Sequence, residues 1–251
     1  MNITLVCEDS FEGIMTAIYE GWILMNQGNQ VDIYPGDFFT PTFFSEYRSI
    51  KVNYEKSEKV ARSIQVKISV SAYIAVYRAC MHYSPEKGNI VFNFLKVAYP
   101  QGAKVMKMLG MPEVVSLMEL ERKVANETHN LKGFLRFSQL EGGLMVGTIT
   151  PRCNVVPLLE KHFSERFPKE NWMIYDKNRK IALLHSNNGK CIMVVGQQIE
   201  HILKEMKIDD EYEGLWKVFF NTIQIEERKN SKAQQNHLPK WYREEMTEFQ
   251  S

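Results

Sequence analysis

Four segments of this 251-residue chain carry side chains whose types and spacing could do chemistry. The first is Arg122, Asn126, His129 and Lys132, spaced four, three and three, which places all four on one face of a helix. Arg136 extends that stripe past Gly133. Such a face attracts anions, and its histidine can transfer protons near neutral pH. It is equally the solvated side of an amphipathic helix. The second segment runs from Arg152 to Arg166. Arg152 precedes a helix start, where backbone N–H groups favour anions. His162 and Arg166 lie four apart at the edge of an apolar face of Val155, Leu158, Leu159 and Phe163. Asp176 and Arg179 fall at a neighbouring strand end. One histidine, one aspartate and two arginines suit phosphoryl or glycosidic chemistry. The same set suits an ion-pair network fixing helix to sheet.

The third segment is a basic tail. Arg228, Lys229, Lys232, Lys240 and Arg243 occur with no acid between 228 and 243. Trp241 and Tyr242 lie among them, beside Asn230, Gln234, Gln235 and Asn236. Cations neutralise phosphates, aromatic faces stack on unpaired bases, and amides read base edges. A solvated tail anchored by its aromatics has the same composition. The fourth segment, Glu8-Asp9-Ser10, follows a strand and opens a helix, where open α/β sheets place ligands. Two acids disfavour phosphate there. Asp9 and Glu12 have capping-box spacing, so Asp9 reads as an N-cap. Glycine-rich nucleotide signatures, G-x-S-x-G, H-E-x-x-H and the kinase set are all missing from the sequence.

The elements that must position these groups fall into two blocks. Ile3–Cys7, Phe11–Met25 and Val31–Tyr34 read as a parallel βαβ unit. An irregular, Phe-rich stretch follows Pro35 and Gly36. Three helices are expected over Glu58–His82, Ile90–Leu109 and Pro112–Leu131, the last ending before Gly133. Beyond it, alternation over Phe134–Leu140 and Leu144–Ile149 predicts a hairpin. A helix starting near Pro157 and strands Trp172–Asp176, Ile181–His185 and Lys190–Val195 come next, with Asn188-Gly189 as a turn. Helices over Ile199–Met206 and Asp210–Gln224 close the block, the second with an apolar stripe from Tyr212 to Ile223. The expected fold class is α+β. Residues 1–132 hold the βαβ unit and three helices. Residues 133–251 hold a mainly antiparallel ββαβββ sheet flanked by helices, with the basic tail. No low-complexity linker separates the two parts, so the boundary is soft and a single domain with a shared core is the alternative.

Composition narrows the function class. Lys plus Arg total 31 against 30 acids, a net charge of +1, with 44% hydrophobic residues. That excludes a disordered chain, and near-neutrality argues against a strong duplex binder, whose domain would be markedly basic. No apolar run is long enough for a membrane helix. The start, Met1-Asn2-Ile3-Thr4, has no basic region of a secretion signal. Cys7, Cys80, Cys153 and Cys191 form no C-x-x-C pair, so reduced thiols in a cytoplasmic protein are expected, with no metal and no cofactor. Cys153, in a loop, is the one thiol of the four whose reactivity merits a test.

An ordered series of segments resembles an uncharacterised bacterial family labelled as DNA metabolism or DNA repair proteins. Cys7-Glu8-Asp9-Ser10-Phe11-Glu12-Gly13 is similar to its opening, and His129-Asn130-Leu131-Lys132-Gly133-Phe134-Leu135-Arg136-Phe137 to its central signature. Asn154 through Leu159 with His162, Phe163 and Arg166 follows, then Trp172, Ile174, Asp176 and Arg179. Trp216–Phe220, Ile225–Asn230, Leu238-Pro239 and Tyr242 complete it. Relatives tend to show Arg-Tyr-Trp where this chain has Trp241-Tyr242-Arg243. The family is encoded beside a radical-SAM DNA repair or modification protein, or fused to a uracil-DNA glycosylase. This chain has the cluster cysteines of neither, so the resemblance implies an accessory partner.

The expected function is therefore binding of single-stranded or damaged DNA, with a radical-SAM protein as partner and no membrane. The binding residues would be Arg122, Lys132, Arg136, Arg152, Arg166, Arg179, Arg228, Lys229, Asn230, Gln234, Lys240, Trp241 and Tyr242. Two alternatives stand beside it. One is an enzyme acting on nucleic acid or nucleotide, with His129, His162 and Asp176 as acid or base candidates. The other is a protein–protein adaptor docking the radical-SAM partner through Phe38–Phe44.

Overall fold

The computed structural model describes residues 2–36, 45–139 and 143–196. The fold is α+β, and the chain divides into two compact units, Met1–Asn126 and Glu127–Ser251, each with its own sheet.

In the first unit, strand β1 (Asn2–Cys7) leads into helix α1 (Phe11–Asn26) and strand β2 (Gln30–Pro35). Ile3, Leu5 and Cys7 alternate into the core, as a period-two pattern requires. A third strand, β3 (Ser45–Ile50), pairs with the other edge of β1, so the sheet order is β2-β1-β3 and both pairings are parallel. The sequence reading missed β3. Its residues, Ser-Glu-Tyr-Arg-Ser-Ile, show no apolar alternation, and Arg48 and Ser49 are exposed on this edge. The N-cap of α1 is Ser10 rather than Asp9. The Ser10 hydroxyl accepts the Gly13 N–H at 3.0 Å. Asp9 is instead an ion-pair partner of Lys87.

The helix expected over Glu58–His82 is two helices, α2 (Tyr54–Lys67) and α3 (Val70–Cys80). Ser69 leaves the helical conformation and caps α3 by accepting the Ala72 N–H at 3.1 Å, which breaks an otherwise continuous apolar pattern. Helix α4 (Lys87–Gln101) starts three residues before its expected position and passes into a 3-10 helix over Gly102–Lys107. Pro100, without an N–H, ends the regular α-helical ladder. Helix α5 (Pro112–Phe134) contains the boundary between the units and runs through Gly133. Val114, Leu117, Leu120, Val124 and Thr128 form its buried face.

The second unit's sheet has the order β4-β5-β6-β7-β8, formed by Ser138–Gln139, Met145–Ile149, Trp172–Asp176, Ile181–His185 and Cys191–Val195. Three pairings are antiparallel, as expected, but β5 and β6 run parallel. Helix α6 (Val156–Arg166) lies between them in the chain and supplies the crossover a parallel pair needs. Every residue of β6 and β7 is buried. Phe137, Phe163 and Trp172 pack edge to face, with Phe137 5.3 Å from Phe163 and 6.3 Å from Trp172 between ring centres. Trp172 also stacks on His185 at 4.8 Å, and the His185 Nδ1–H donates to the Glu170 carbonyl at 2.9 Å.

Candidate nucleic-acid interface

The polar stripe of α5 faces outward. Arg122, Asn126 and His129 are exposed and Lys132 is half-buried. Arg122 lies on the part of α5 that belongs to the first unit, and His129 and Lys132 on the part in the second. At the end of the helix, the Arg136 guanidinium donates to the Gly133 carbonyl at 2.9 Å and to the Leu135 carbonyl at 3.2 Å. This satisfies acceptors that a helix terminus leaves open and places a cation at the negative end of the helix dipole.

Helix α6 brings a second set of cations to this place. Leu159 and Phe163 are buried and fix its inner face, and His162 follows at the edge. His162 is hydrogen-bonded to the backbone of Lys132 and lies within electrostatic reach of the Lys132 and Arg166 charges. Burial, then these two cations, hold its imidazole below its ordinary value of 6.5, against the hydrogen bond to the Lys132 backbone and the Glu165 charge. The His162 Nε2 is buried without a hydrogen-bond partner. Arg166 is exposed and makes no ion pair among the described residues. Its guanidinium lies 5.5 Å from the centre of the Phe167 ring. Lys132, Arg136, His162 and Arg166, drawn from two helices and a loop, thus share one region of the second unit.

Phe134 belongs with them. It lies between Lys132 and Arg136 and is 73% exposed, although the alternation after Gly133 had suggested a strand residue. The extra turn of α5 turns its ring to solvent. Sequence reasoning did not select it, and the available signal was an aromatic flanked by two cations within five residues.

Arg152, Asp176 and Arg179 come together elsewhere in the unit, in a network that holds the 150–155 loop against the sheet. Asp176 is fully buried. Its carboxylate accepts the Asn178 N–H at 2.8 Å, the Arg179 N–H at 3.3 Å and the Arg179 Nη1 at 3.0 Å. Arg179 then donates to the carbonyls of Pro151 and Arg152, and the Asn178 amide also donates to Pro151, at 2.9 Å. From the other side, Glu127 accepts the Arg152 N–H at 2.7 Å and the Cys153 N–H at 2.8 Å. Burial alone would raise the Glu127 carboxyl. The Cys153 thiol, the two N–H groups and the Arg179 charge outweigh it and hold the group below 4.5.

This arrangement reads as loop fixation. His162 bonds to Lys132, whereas Asp176 is engaged by Asn178 and Arg179, so the two are not an acid–base pair. Cys153, the loop thiol singled out for a reactivity test, is 2% exposed and bonded to Glu127. Among the described residues, no three His, Cys, Asp or Glu side chains group as a metal site, and no helix is long and apolar enough to cross a membrane. The tail residues Arg228, Lys229, Asn230, Gln234, Lys240, Trp241 and Tyr242 lie outside the described residues. So do the loop 38–44 and the two helices expected over 199–224.

Residues 85–248 match a family model described as a domain of unknown function, DUF4130. The chain has no significant match among curated proteins.

Proposed function

The chain belongs to the family of the domain of unknown function DUF4130, and from that premise we propose that it is a DNA repair or metabolism accessory protein that holds single-stranded or damaged DNA on its second unit. One observation carries this reading: Phe134 stands exposed between Lys132 and Arg136, with His162 hydrogen-bonded to the Lys132 backbone and within electrostatic reach of Arg166. An aromatic face stacks on an unpaired base without regard to its identity, and flanking cations track the phosphates. The near-neutral net charge fits a local single-strand site better than a broad duplex surface. The tail from Arg228 to Arg243 would add cations and the Trp241 and Tyr242 rings to the same task, and a radical-SAM DNA repair or modification protein would be the partner it serves.

Fluorescence anisotropy with labelled single-stranded, duplex and abasic-site DNA over a salt series tests the reading. Single-stranded DNA binds most tightly, with a log–log slope of about 0.7 per phosphate neutralised. Phe134→Ala weakens binding by about 1–3 kcal/mol and leaves the slope unchanged, whereas Arg136→Ala lowers the slope by roughly one contact. Equal affinity of the Phe134→Ala and wild-type proteins for every DNA would sink the proposal.

A further inference from the structure

The two edges of the first unit's sheet differ. On β2, both outward backbone groups of Ile33 are taken up by α4. The Ile33 N–H donates to the Asn89 side-chain oxygen at 2.7 Å. Its carbonyl lies against Gly88, where a Cβ would stand 2.5 Å from the oxygen. That edge is closed to a further strand. On the other edge, β3 pairs with β1 alone among the described residues, and Arg48 and Ser49 are exposed. A strand bonds to one neighbour through alternate residues. The outward N–H and C=O groups of this six-residue edge are therefore a template for another strand.

The side chains of β3 specify a register. Successive residues alternate between faces, so Glu46 and Arg48 share one face, in register with Ile3 and Leu5 of β1. Tyr47 lies on the other face, in register with Thr4, and is half-buried. The Glu46 carboxylate and the Arg48 Nε are 2.6 Å apart. Charges on the core-side face of an edge ordinarily keep foreign strands away, because pairing takes them out of water.

One pairing instead supplies each charge with its opposite. Two identical edges joined across a two-fold axis normal to the sheet run antiparallel, and continuity of the faces moves their register in steps of two residues. Centred on Glu46, the pairing sets that carboxylate against its own copy. Centred on Arg48, it sets two guanidiniums together. Centred on Tyr47, it sets Glu46 opposite Arg48 of the second copy, twice by symmetry, with Ser45 opposite Ser49. Exchanging the exposed intrachain pair for these costs little, because an exposed pair contributes little by itself.

We propose that β3 is an interface between two copies of this chain, which pair antiparallel about Tyr47 and join their three-stranded sheets into one of six strands. Glu46 and Arg48 select the register. One pair of six-residue edges buries less surface than a permanent dimer needs, so the association depends on concentration.

Sedimentation velocity of the full chain under reducing conditions, from about 1 μM to about 1 mM, spans the range of a weak interface and tests this. The average mass rises from one chain toward two. Arg48→Glu sets like charges opposite each other and raises the dimer dissociation constant about tenfold or more. Glu46→Arg does the same. The swap Glu46→Arg/Arg48→Glu restores the opposite pairs and returns the dimer, and circular dichroism confirms that each variant is folded. A monomer throughout the range, a dimer as tight in folded Arg48→Glu as in the wild-type chain, or a folded swap variant that stays monomeric would each overturn the assignment.

Discussion

Arg179 lies 3.0 Å from Asp176, and the acid is fully buried while the arginine reaches outward to the carbonyls of Pro151 and Arg152. One guanidinium thus neutralises a buried charge at the end of β6 and ties down a loop that is 27 residues away in sequence. Arg179→Met strands the carboxylate, and about 3 kcal/mol of stability is lost, because an uncompensated buried charge is worse than none. The double variant Arg179→Met/Asp176→Asn recovers part of that loss. Urea unfolding of the two variants measures both, and equal stability of the single and double variants would contradict the account.

Glu127 gives a pH signature. Its carboxyl is held below 4.5 in the fold, so the stability it contributes is present above the unfolded value and is lost as pH falls through the folded one. Glu127→Gln is therefore destabilised near neutral pH by about 1–3 kcal/mol, and the difference from wild type shrinks in acid. Unfolding midpoints from neutral pH down to about pH 3 report the convergence.

His162 behaves in the opposite direction in binding. In the free protein, burial with Lys132 and Arg166 depresses it, so the fold loses stability as pH falls through the ordinary 6.5 toward the lower folded value. A phosphate placed beside those cations favours the imidazolium. Single-stranded DNA binding consequently tightens as pH falls from about 7.5 to about 5.5. His162→Gln flattens that dependence, which anisotropy at fixed ionic strength detects. A pH profile unchanged by the substitution would remove His162 from the interface.

Gly88→Ala tests how firmly α4 is seated. Its new Cβ would meet the Ile33 backbone at 2.5 Å, whereas one at Gly21 meets only side-chain carbons of Phe92 and Val31 at 3.2 Å and beyond. Gly88→Ala costs about 1–3 kcal/mol through backbone displacement, and Gly21→Ala costs less. Thermal or urea unfolding of the pair establishes the order.

Local pattern made much of the fold legible. The βαβ start, the strands from Trp172 to Val195 and the turn at Asn188-Gly189 follow from alternation and turn chemistry over short windows. β3 escaped because a polar edge strand leaves no periodic trace. The break at Ser69 escaped because apolar spacing continued across a residue whose hydroxyl caps the next helix. In the candidate interface, the stripe on α5 was readable from spacing, whereas the approach of His162 to Lys132 is a tertiary event. The Asp9–Lys87 pair joins residues 78 positions apart, and no local rule links them.

The stacked pair of Trp172 and His185 has a spectroscopic consequence. The indole is fully buried and lies parallel to an imidazole at 4.8 Å, close enough for the ring's protonation to quench its emission. The second unit therefore carries an intrinsic optical probe at the centre of its sheet. With Trp22, Trp216 and Trp241 replaced by Phe, the signal of Trp172 would follow the opening of that unit alone, and would show whether the two halves of the chain melt together or in turn.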